Sequence, residues 1–357
     1  MRAAVLRPAG IEVAEVPEPE PGSGHVLVRS LACGICGSDL HAAEDMHRFA
    51  GLIAEVGAPG ALDPDADCIF GHELCCEIVE HGPDTTAALP VGAVVCSVPI
   101  LFGAHGPEQL GYSNRYPGGL AELMVLQEAL LIPVPEGMAP ELAALTEPLA
   151  VGEHAVVKAE LRGGEVSLVV GCGPVGLAVI AALKERGVGP VVAADFSPGR
   201  RRLAERLGAD EVLDPAALSP YSRWGDLGVP AGLLERGAAE LFGGSFKDAV
   251  IFECVGSPGV LRSIIKGAPP KARIVVVGVC MATDEIEPFF AVAKELELRF
   301  AFGYTAQEYA TTLARLSRTA LPVEELITDV IDLDDVAGAF EALKHPGDRG
   351  KVMVRHR

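Results

Sequence analysis

Residues 166–176 have the sequence Val-Ser-Leu-Val-Val-Gly-Cys-Gly-Pro-Val-Gly, an apolar run followed at once by spaced glycines. The β-branched run Val166–Val170 predicts a buried strand, and residues 171–182 have the apolar content of a helix. A G-x-G-x-x-G motif is a weak signal alone, but here it lies between a strand and a helix, which is the context of a dinucleotide-binding turn. The sequence therefore predicts a strand–turn–helix unit that binds a dinucleotide.

Each residue of this turn has a predicted use. Gly171 allows the tight turn, Gly173 lets the backbone approach a pyrophosphate, and Gly176 permits close strand–helix packing. Pro174 costs little in the first helical turn, where backbone N–H groups have no helical partner, and Val175 completes the motif. The free N–H groups of this helix start are expected to bind the phosphates.

An acidic residue ends the next predicted strand. Asp195 follows Gly176 by 19 positions (195 − 176), and a carboxylate there binds the ribose hydroxyls and repels a 2′-phosphate. This favours NAD over NADP. Arg200, the first of three consecutive arginines, could instead hold a phosphate, so NADP remains the alternative cofactor. Asp195 could also simply cap the following helix.

The rest of the chain divides into two patterns. Residues 1–148 contain short β-branched runs typical of an all-β region, whereas strands and helices alternate after Glu147. Alternation of this kind predicts an α/β fold with a doubly wound parallel sheet. The last run, residues 351–354, is expected to be a closing strand that rejoins the first domain.

Composition excludes several classes of function. The chain has 357 residues, 49% of them hydrophobic, with 29 basic against 49 acidic residues and a net charge of −20. That charge argues against nucleic acid or an anionic membrane as a partner. Residues 166–183 are long enough for a membrane helix, but their glycines and proline favour a strand, turn and helix. Nine cysteines without a signal peptide predict reduced thiols in the cytoplasm.

Three separate segments carry residues that bind metals. Residues 31–41 include Cys33 and Cys36, residues 71–73 are Gly-His-Glu, and residues 146–148 are Thr-Glu-Pro. One thiolate, one imidazole and one carboxylate could occupy three sides of a tetrahedral zinc ion and leave the fourth open. The two cysteines lack the second pair of a zinc ribbon, and a redox pair is their other interpretation.

Taken together, these motifs resemble the zinc-dependent medium-chain dehydrogenases, most closely the polyol and threonine dehydrogenase branch. The resemblance rests on the order and spacing of residues 33–41, 71–73, 147–150 and 171–176. It implies a GroES-like β-rich catalytic domain, interrupted in sequence by a Rossmann NAD-binding domain, with the active site in the cleft between them. The expected bounds are 1–148 and 302–357 for the catalytic domain and 149–301 for the Rossmann domain.

The resemblance also implies the metal ligands. Cys36 would be the thiolate ligand and His72 the imidazole ligand. Glu73 or Glu147 would supply a carboxylate, on the metal or holding its water, and the sequence leaves the choice open. Cys33 matches no ligand position and is expected to pack in the interior.

Proton transfer is assigned in the same way. Ser38 would be the hydroxyl relay and His41 its solvent-facing end, because a serine hydroxyl passes on a proton that an imidazole can release to water. Asp39 would orient His72 or the loop. Val277, Val279 and Phe302 would lie near the nicotinamide, although ordinary strand packing also explains them.

The sequence departs from the family in three regions. Residues 84–118 contain a single cysteine, Cys96, which predicts one catalytic zinc and no structural zinc, and leaves His105, Tyr112 and Tyr116 without a role. Residues 44–70 are expected to be irregular, with Met46, Phe49 and Leu52 as an apolar pocket wall or as core. Residues 214–247, which include Trp224, predict a surface excursion or a contact with a partner or substrate.

The predicted function is a zinc-dependent oxidoreductase that transfers a hydride between a secondary alcohol and NAD, giving a ketone or aldehyde. One alternative is an NADP-linked carbonyl reductase that uses the same site. Another is a non-catalytic dinucleotide-binding protein. The expected partners are an alcohol or carbonyl substrate and further copies of the chain in a homodimer or homotetramer.

Overall fold

The structure is a computed structural model that describes residues 1–58, 62–103 and 106–356. The strands of the first half are short, as their β-branched runs predict. Their bounds are β1 Arg2–Arg7, β2 Gly10–Glu15, β3 His25–Gly34, β4 Glu73–His81, β5 Val94–Ser97, β6 Ile100–Gly103, β7 Gly106–Gln109, β8 Leu123–Gln127 and β9 Leu131–Pro133.

The second half alternates strands with helices. Its strands are β10 Val166–Val170, β11 Val191–Ala194, β12 Glu211–Leu213, β13 Ala249–Glu253, β14 Arg273–Val276, β15 Glu297–Phe300, β16 Ile327–Asp332 and β17 Lys351–Arg355. The α-helices among the described residues are α1 Gly37–Glu44, α2 Met46–Glu55, α3 Pro140–Ala144, α4 Thr146–Ala159, α5 Pro174–Glu185, α6 Pro198–Arg206, α7 Leu233–Phe242, α8 Val260–Gly267, α9 Pro288–Ala293, α10 Ala306–Leu316 and α11 Val336–Leu343. Short 3₁₀ turns cover Glu128–Leu130, Pro220–Arg223, Val323–Leu326 and Leu333–Asp335.

The Rossmann sheet is parallel throughout its described strands. Six of them pair in the order β12-β11-β10-β13-β14-β15. This is the order of a doubly wound dinucleotide-binding fold, in which ligands bind at the carboxyl ends of the strands. The predicted α/β fold class is confirmed.

The second large sheet belongs to the β-rich domain. Among the described residues it has seven strands, in the order β16-β17-β3-β4-β5-β9 with β8 also paired to β3. The final strand β17 runs antiparallel to β3, with Met353 opposite Gly34. The predicted return of the chain to its first domain is therefore confirmed, whereas the domain bounds 1–148, 302–357 and 149–301 stay a prediction.

A continuous apolar core joins the two domains. Cys75 of β4 and Cys96 of β5 belong to the same buried cluster as Ala150 of α4, Ala178 of α5 and Val169 of β10. Helix α4 lies between the sheets, so its first turn is held against the β-rich domain while its body packs on α5.

The prediction that residues 44–70 are irregular is wrong for Met46–Glu55, which form α2. Met46, Phe49 and Ile53 have helical spacing, and Asp45 caps the helix by accepting a hydrogen bond of 2.9 Å from the N–H of Arg48. The Arg48 side chain then donates through Nε to the carbonyl of Met281, at 2.8 Å. Helix α2 therefore reaches from the β-rich domain to the loop after β14.

Trp224 anchors the segment of residues 214–247 to the Rossmann domain. Trp224 is 2% exposed, and its indole Nε1 donates to the carbonyl of Gly267 at 3.0 Å. The tryptophan is therefore part of the Rossmann core and is not available to a partner.

No α-helix within the described ranges has both the length and the apolar character that crossing a membrane requires.

The glycine turn offers a test of the fold. A Cβ on Gly176 would lie 1.8 Å from the carbonyl oxygen of Gly171, which itself has a φ of +90°. We expect Gly176→Ala to force this turn apart and to destabilise the protein by about 1–3 kcal/mol, as overpacking does. Gly237→Ala in α7 is the matched control, because its Cβ would meet nothing within 4 Å. Thermal unfolding checks this: equal melting temperatures for the two variants would contradict it.

Candidate active site and cofactor-binding turn

Strand pairing brings the metal-binding segments to one end of the β-rich sheet. β3 and β4 are antiparallel, with Gly34 opposite Glu73, so the residues just after β3 lie beside those just before β4. Cys36 follows β3 as the N-cap of α1, and His72 precedes β4. Gly34 is required here, because a Cβ on it would lie 2.0 Å from Oε2 of Glu73.

Three of the predicted ligands meet. The thiol of Cys36, the imidazole of His72 and the carboxylate of Glu73 have ligand atoms that all lie within 4.8 Å of one another. Cys36 is half-buried, while His72 and Glu73 are buried. Sulfur, imidazole nitrogen and carboxylate oxygen are the donors that zinc takes in proteins.

The hydrogen bonding of these side chains fits a bound cation. Oε2 of Glu73 is a buried side-chain atom that has no hydrogen-bond partner among the described residues. Buried polar atoms are normally satisfied, so an orphaned carboxylate oxygen beside a thiol and an imidazole suits a metal ion.

Glu147 lies near Cys36, His72 and Glu73 but is not part of their group. It lies in the first turn of α4, 7% exposed, and is not one of the residues within the 4.8 Å group of described donors. The pKa of Glu147 is raised to about 7: burial is the main cause, the charge of His72 and a hydrogen bond with Tyr304 lower the pKa, and the charge of Glu73 raises it. Glu73 and Glu147 therefore lie in the same buried environment of low dielectric constant.

Lys351 is a site residue that the sequence analysis missed. Its Nζ lies 2.5 Å from Oε1 of Glu73 and donates to the carbonyl of Ile35 at 3.1 Å, and the side chain is 2% exposed. Burial lowers the pKa of Lys351, but Glu73 outweighs this effect and the pKa is raised. A lysine at the start of an otherwise apolar final strand was the available signal.

Asp39 and Tyr112 contact the group formed by Cys36, His72 and Glu73. Asp39 is fully buried, and its Oδ2 accepts from the N–H of Cys36 at 2.9 Å. Its Oδ1 lies 3.4 Å from Nδ1 of His72 and accepts from the Tyr112 hydroxyl at 2.8 Å. Burial lowers the pKa of His72, but the charges of Asp39 and Cys36 outweigh it and leave the pKa raised.

The sequence patterns predict no role for Tyr112. Its hydroxyl also lies 2.8 Å from Oγ of Ser38, and its ring packs on His72 with centroids 5.3 Å apart. The other groups that were left without a role are Tyr116, which packs on His25, and His105, which lies outside the described residues.

The two predicted relay residues share one face of α1. Ser38 donates through Oγ to Sγ of Cys36 at 3.2 Å, so its hydroxyl adjoins the metal group. His41 follows three residues later and is half-buried, which puts it on the same side of the helix. Cys33 lies within β3, buried and outside the group of ligand atoms, as expected for a packing residue.

The glycine turn has the form that a dinucleotide needs. The carboxylate of Asp195 accepts from the N–H of Cys172 through Oδ2 and from the N–H of Ser197 through Oδ1, both at 2.7 Å. Asp195 therefore lies directly beside the turn. The Arg200 guanidinium is near as well, because a Cβ on Gly173 would lie 3.9 Å from its Nη1.

The residues assigned to the nicotinamide follow other strands of the same sheet. Val277 and Val279 come after β14 and Phe302 comes after β15, and both strands run parallel to β10. They therefore lie at the sheet edge where the glycine turn lies. Val277 is buried, whereas Val279 and Phe302 are exposed.

A doubly wound sheet with this turn, joined to a β-rich domain that holds a Cys–His–Glu group, defines the class of two-domain metal-dependent dehydrogenases. Comparison with known proteins agrees. Residues 22–136 match the family described as "Alcohol dehydrogenase GroES-like domain", and residues 174–318 match the family described as "Zinc-binding dehydrogenase".

Similarity to characterised proteins spans the whole chain. The (R,R)-butanediol dehydrogenase of Bacillus subtilis (strain 168) is 33% identical over 358 residues, covering 97% of this chain and 96% of that protein. The L-threonine 3-dehydrogenase of Rhizobium rhizogenes is 27% identical, covering 97% of this chain and 95% of that protein. The crystal structure of 2R,3R-butanediol dehydrogenase from Bacillus subtilis superposes with a TM-score of 0.77 at 28% identity, covering 100% and 99% of the two chains.

The chain belongs to the zinc-dependent medium-chain dehydrogenase family, in its alcohol and polyol dehydrogenase group. It is accordingly an oxidoreductase of CH–OH groups, built from a GroES-like domain and a Rossmann domain. The family resemblance drawn from the four sequence motifs is confirmed.

The Tyr112 network can be tested by removing one oxygen atom. We expect Tyr112→Phe to keep the ring against His72 but to loosen Asp39 and Ser38, and so to lower zinc affinity or kcat/KM by about 10–100-fold, as loss of such supporting groups does. Tyr116→Phe is the matched control and should behave as wild type. Zinc release to a chelator and steady-state kinetics measure both effects, and equal values for the two variants would count against the network.

Proposed function

We propose that this protein is a dehydrogenase of small secondary alcohols that uses NAD and one zinc ion per chain. The observation that carries the proposal is the group formed by Cys36, His72 and Glu73, whose ligand atoms lie within 4.8 Å of one another. The NAD part rests on Asp195, whose carboxylate adjoins the glycine turn at 2.7 Å from the N–H of Cys172. Each of its oxygens keeps a further lone pair with which to accept a ribose hydroxyl.

Cys36, His72 and Glu73 are the proposed metal ligands. Glu73 is preferred over Glu147 because it belongs to the group of close ligand atoms and Glu147 does not, and because Lys351 pairs with its Oε1 while its Oε2 has no partner among the described residues. Glu147 is assigned to the open side of the metal, where a carboxylate can accept a hydrogen bond from water. Zinc held by these ligands would act as a Lewis acid on the alcohol oxygen, and the nicotinamide would take up the hydride.

The chain's own residues move the proton. The Ser38 hydroxyl, 3.2 Å from Sγ of Cys36, accepts the proton of the alcohol as it passes its own proton on. His41, on the same face of α1, takes up the proton that Ser38 gives up and releases it to water. Tyr112 holds Ser38 in position from the other side, at 2.8 Å.

The substrate class is inferred from the relatives' names and from the aromatic ring beside His72. Butanediol and threonine each carry a secondary hydroxyl next to a carbon that bears another polar group. In this chain the Tyr112 ring packs on His72, and Phe49 of α2, a buried core residue, packs on Tyr112 at 5.0 Å between ring centroids. An aromatic ring beside the metal ligands favours a vicinal diol with short apolar ends over a sugar alcohol, because burying unpaired hydroxyl groups against aromatic rings is unfavourable.

A substrate panel tests this proposal. The zinc-loaded protein is expected to reduce NAD with (R,R)-2,3-butanediol at a kcat/KM about tenfold or more above that with sorbitol or L-threonine, since one or two unpaired polar groups cost about 1–3 kcal/mol each. Absorbance of NADH measures the rates. No activity with any secondary alcohol would overturn the proposed function, and a preference for sorbitol would overturn only the substrate class.

Metal content is tested with a pair of cysteine variants. Native mass spectrometry should find one zinc per chain, in a particle of two or four chains. Cys36→Ala should lose the zinc, because it removes the thiolate ligand. Cys33→Ala should keep it, because Cys33 is a buried side chain away from the ligand group. Zinc retained without Cys36, or a second zinc per chain, would contradict the assignment.

A further inference from the structure

The loop that joins α11 to β17 leaves its own domain and contacts the start of α6 in the Rossmann domain. Oδ1 of Asp348 accepts from Oγ of Ser197 at 2.5 Å and from the N–H of Gly199 at 2.9 Å. Its Oδ2 lies 3.5 Å from Nη2 of Arg202. The next residue takes part as well, since the carbonyl of Arg349 accepts from Nε of Arg200 at 3.1 Å.

The fit between the loop and the helix is close. A Cβ on Gly199 would lie 2.3 Å from Cβ and Cγ of Asp348, so the glycine leaves the space that the aspartate fills. The hydrogen bond from Ser197 and that from the N–H of Gly199 lower the pKa of Asp348, and the charges of Arg202 and Arg200 add to this. The carboxylate therefore occupies the Gly199 N–H that this helix start would otherwise offer to another anion, while the Arg200 N–H is taken by Oγ of Ser197.

The contact lies next to the predicted ribose site. Ser197 is two residues beyond Asp195, and it also donates its N–H to that carboxylate. An adenosine ribose bound by Asp195 would carry its 2′ position towards this helix start, which has N–H groups and two arginines. Those are the groups that recognise a phosphate. Here Asp348 accepts from the Gly199 N–H and pairs with Arg202, while the carbonyl of Arg349 accepts from Nε of Arg200.

We propose that Asp348 is a specificity-determining residue that closes the start of α6 to the 2′-phosphate of NADP, so that a residue of the catalytic domain helps to set the choice of cofactor. This inference rests on the proposed use of NAD, and it adds a second carboxylate to Asp195. It is distinct from ribose binding, because Asp348 acts on the phosphate site alone.

The test is a binding measurement on the full-length protein. Isothermal titration calorimetry with 5′-ADP and 2′,5′-ADP gives the ratio of the two dissociation constants without turnover. Wild type should favour 5′-ADP. In Asp348→Asn, an isosteric change, the charge is lost while an oxygen still accepts from Ser197, and the preference should fall about fivefold, as expected for one charge at a helix start.

Two controls complete the design. Asp334→Asn removes another exposed carboxylate of the catalytic domain, one that pairs with Arg2, and should leave the ratio unchanged. Asp348→Ser provides a second variant that also lacks the charge and should lower the preference as Asp348→Asn does. Circular dichroism confirms that the variants are folded.

The outcomes separate this inference from the proposed function. If wild type prefers 5′-ADP and neither Asp348 variant changes the ratio, the inference is wrong while the use of NAD stands. If wild type itself prefers 2′,5′-ADP, the proposed use of NAD is wrong and the inference falls with it. A loss of preference in Asp334→Asn equal to that in Asp348→Asn would also overturn the inference, because the effect would then be one of net charge.

Discussion

The buried ion pair between Lys351 and Glu73 is the interaction on which the candidate metal site depends. Both groups are almost fully buried, with Nζ and Oε1 2.5 Å apart. Removing one partner of such a pair typically costs about 3–5 kcal/mol, because it leaves an uncompensated charge in a medium of low dielectric constant. The pair also holds the Glu73 carboxylate in place beside Cys36 and His72, with its second oxygen, Oε2, buried and without a hydrogen-bond partner among the described residues.

Through this pair, the candidate metal site contacts strand β17. Lys351 opens β17, which completes the β-rich sheet only after the chain has passed through the whole Rossmann domain. The residues just before it, Asp348 and Arg349, lie against the Rossmann helix that follows Asp195. A few consecutive residues therefore contact both the Glu73 carboxylate and the helix start beside Asp195.

Local patterns were sufficient for most of the fold. The glycine turn, its flanking strand and helix and the alternation after Glu147 are each encoded within a few residues, so the doubly wound sheet was predictable. Helix α2 was missed although its apolar spacing was present. Tyr112, Lys351 and Asp348 could not be assigned in this way. Their partners are distant in sequence: Ser38 lies 74 residues from Tyr112, Glu73 lies 278 from Lys351, and Ser197 lies 151 from Asp348.

The sequence by itself determined the kinds of chemistry: a thiol, an imidazole and carboxylates suited to zinc, and a glycine turn suited to a dinucleotide. These depend on residue type and on short spacings along the chain, and both are visible in the sequence. Only the tertiary structure decided which donors meet. Cys33 lies within β3 and is packed in the interior, whereas Cys36 lies past the strand end and begins α1. The antiparallel pairing of β3 with β4 and β17 selects Cys36, Glu73 and Lys351, because strand register is set by packing across the sheet.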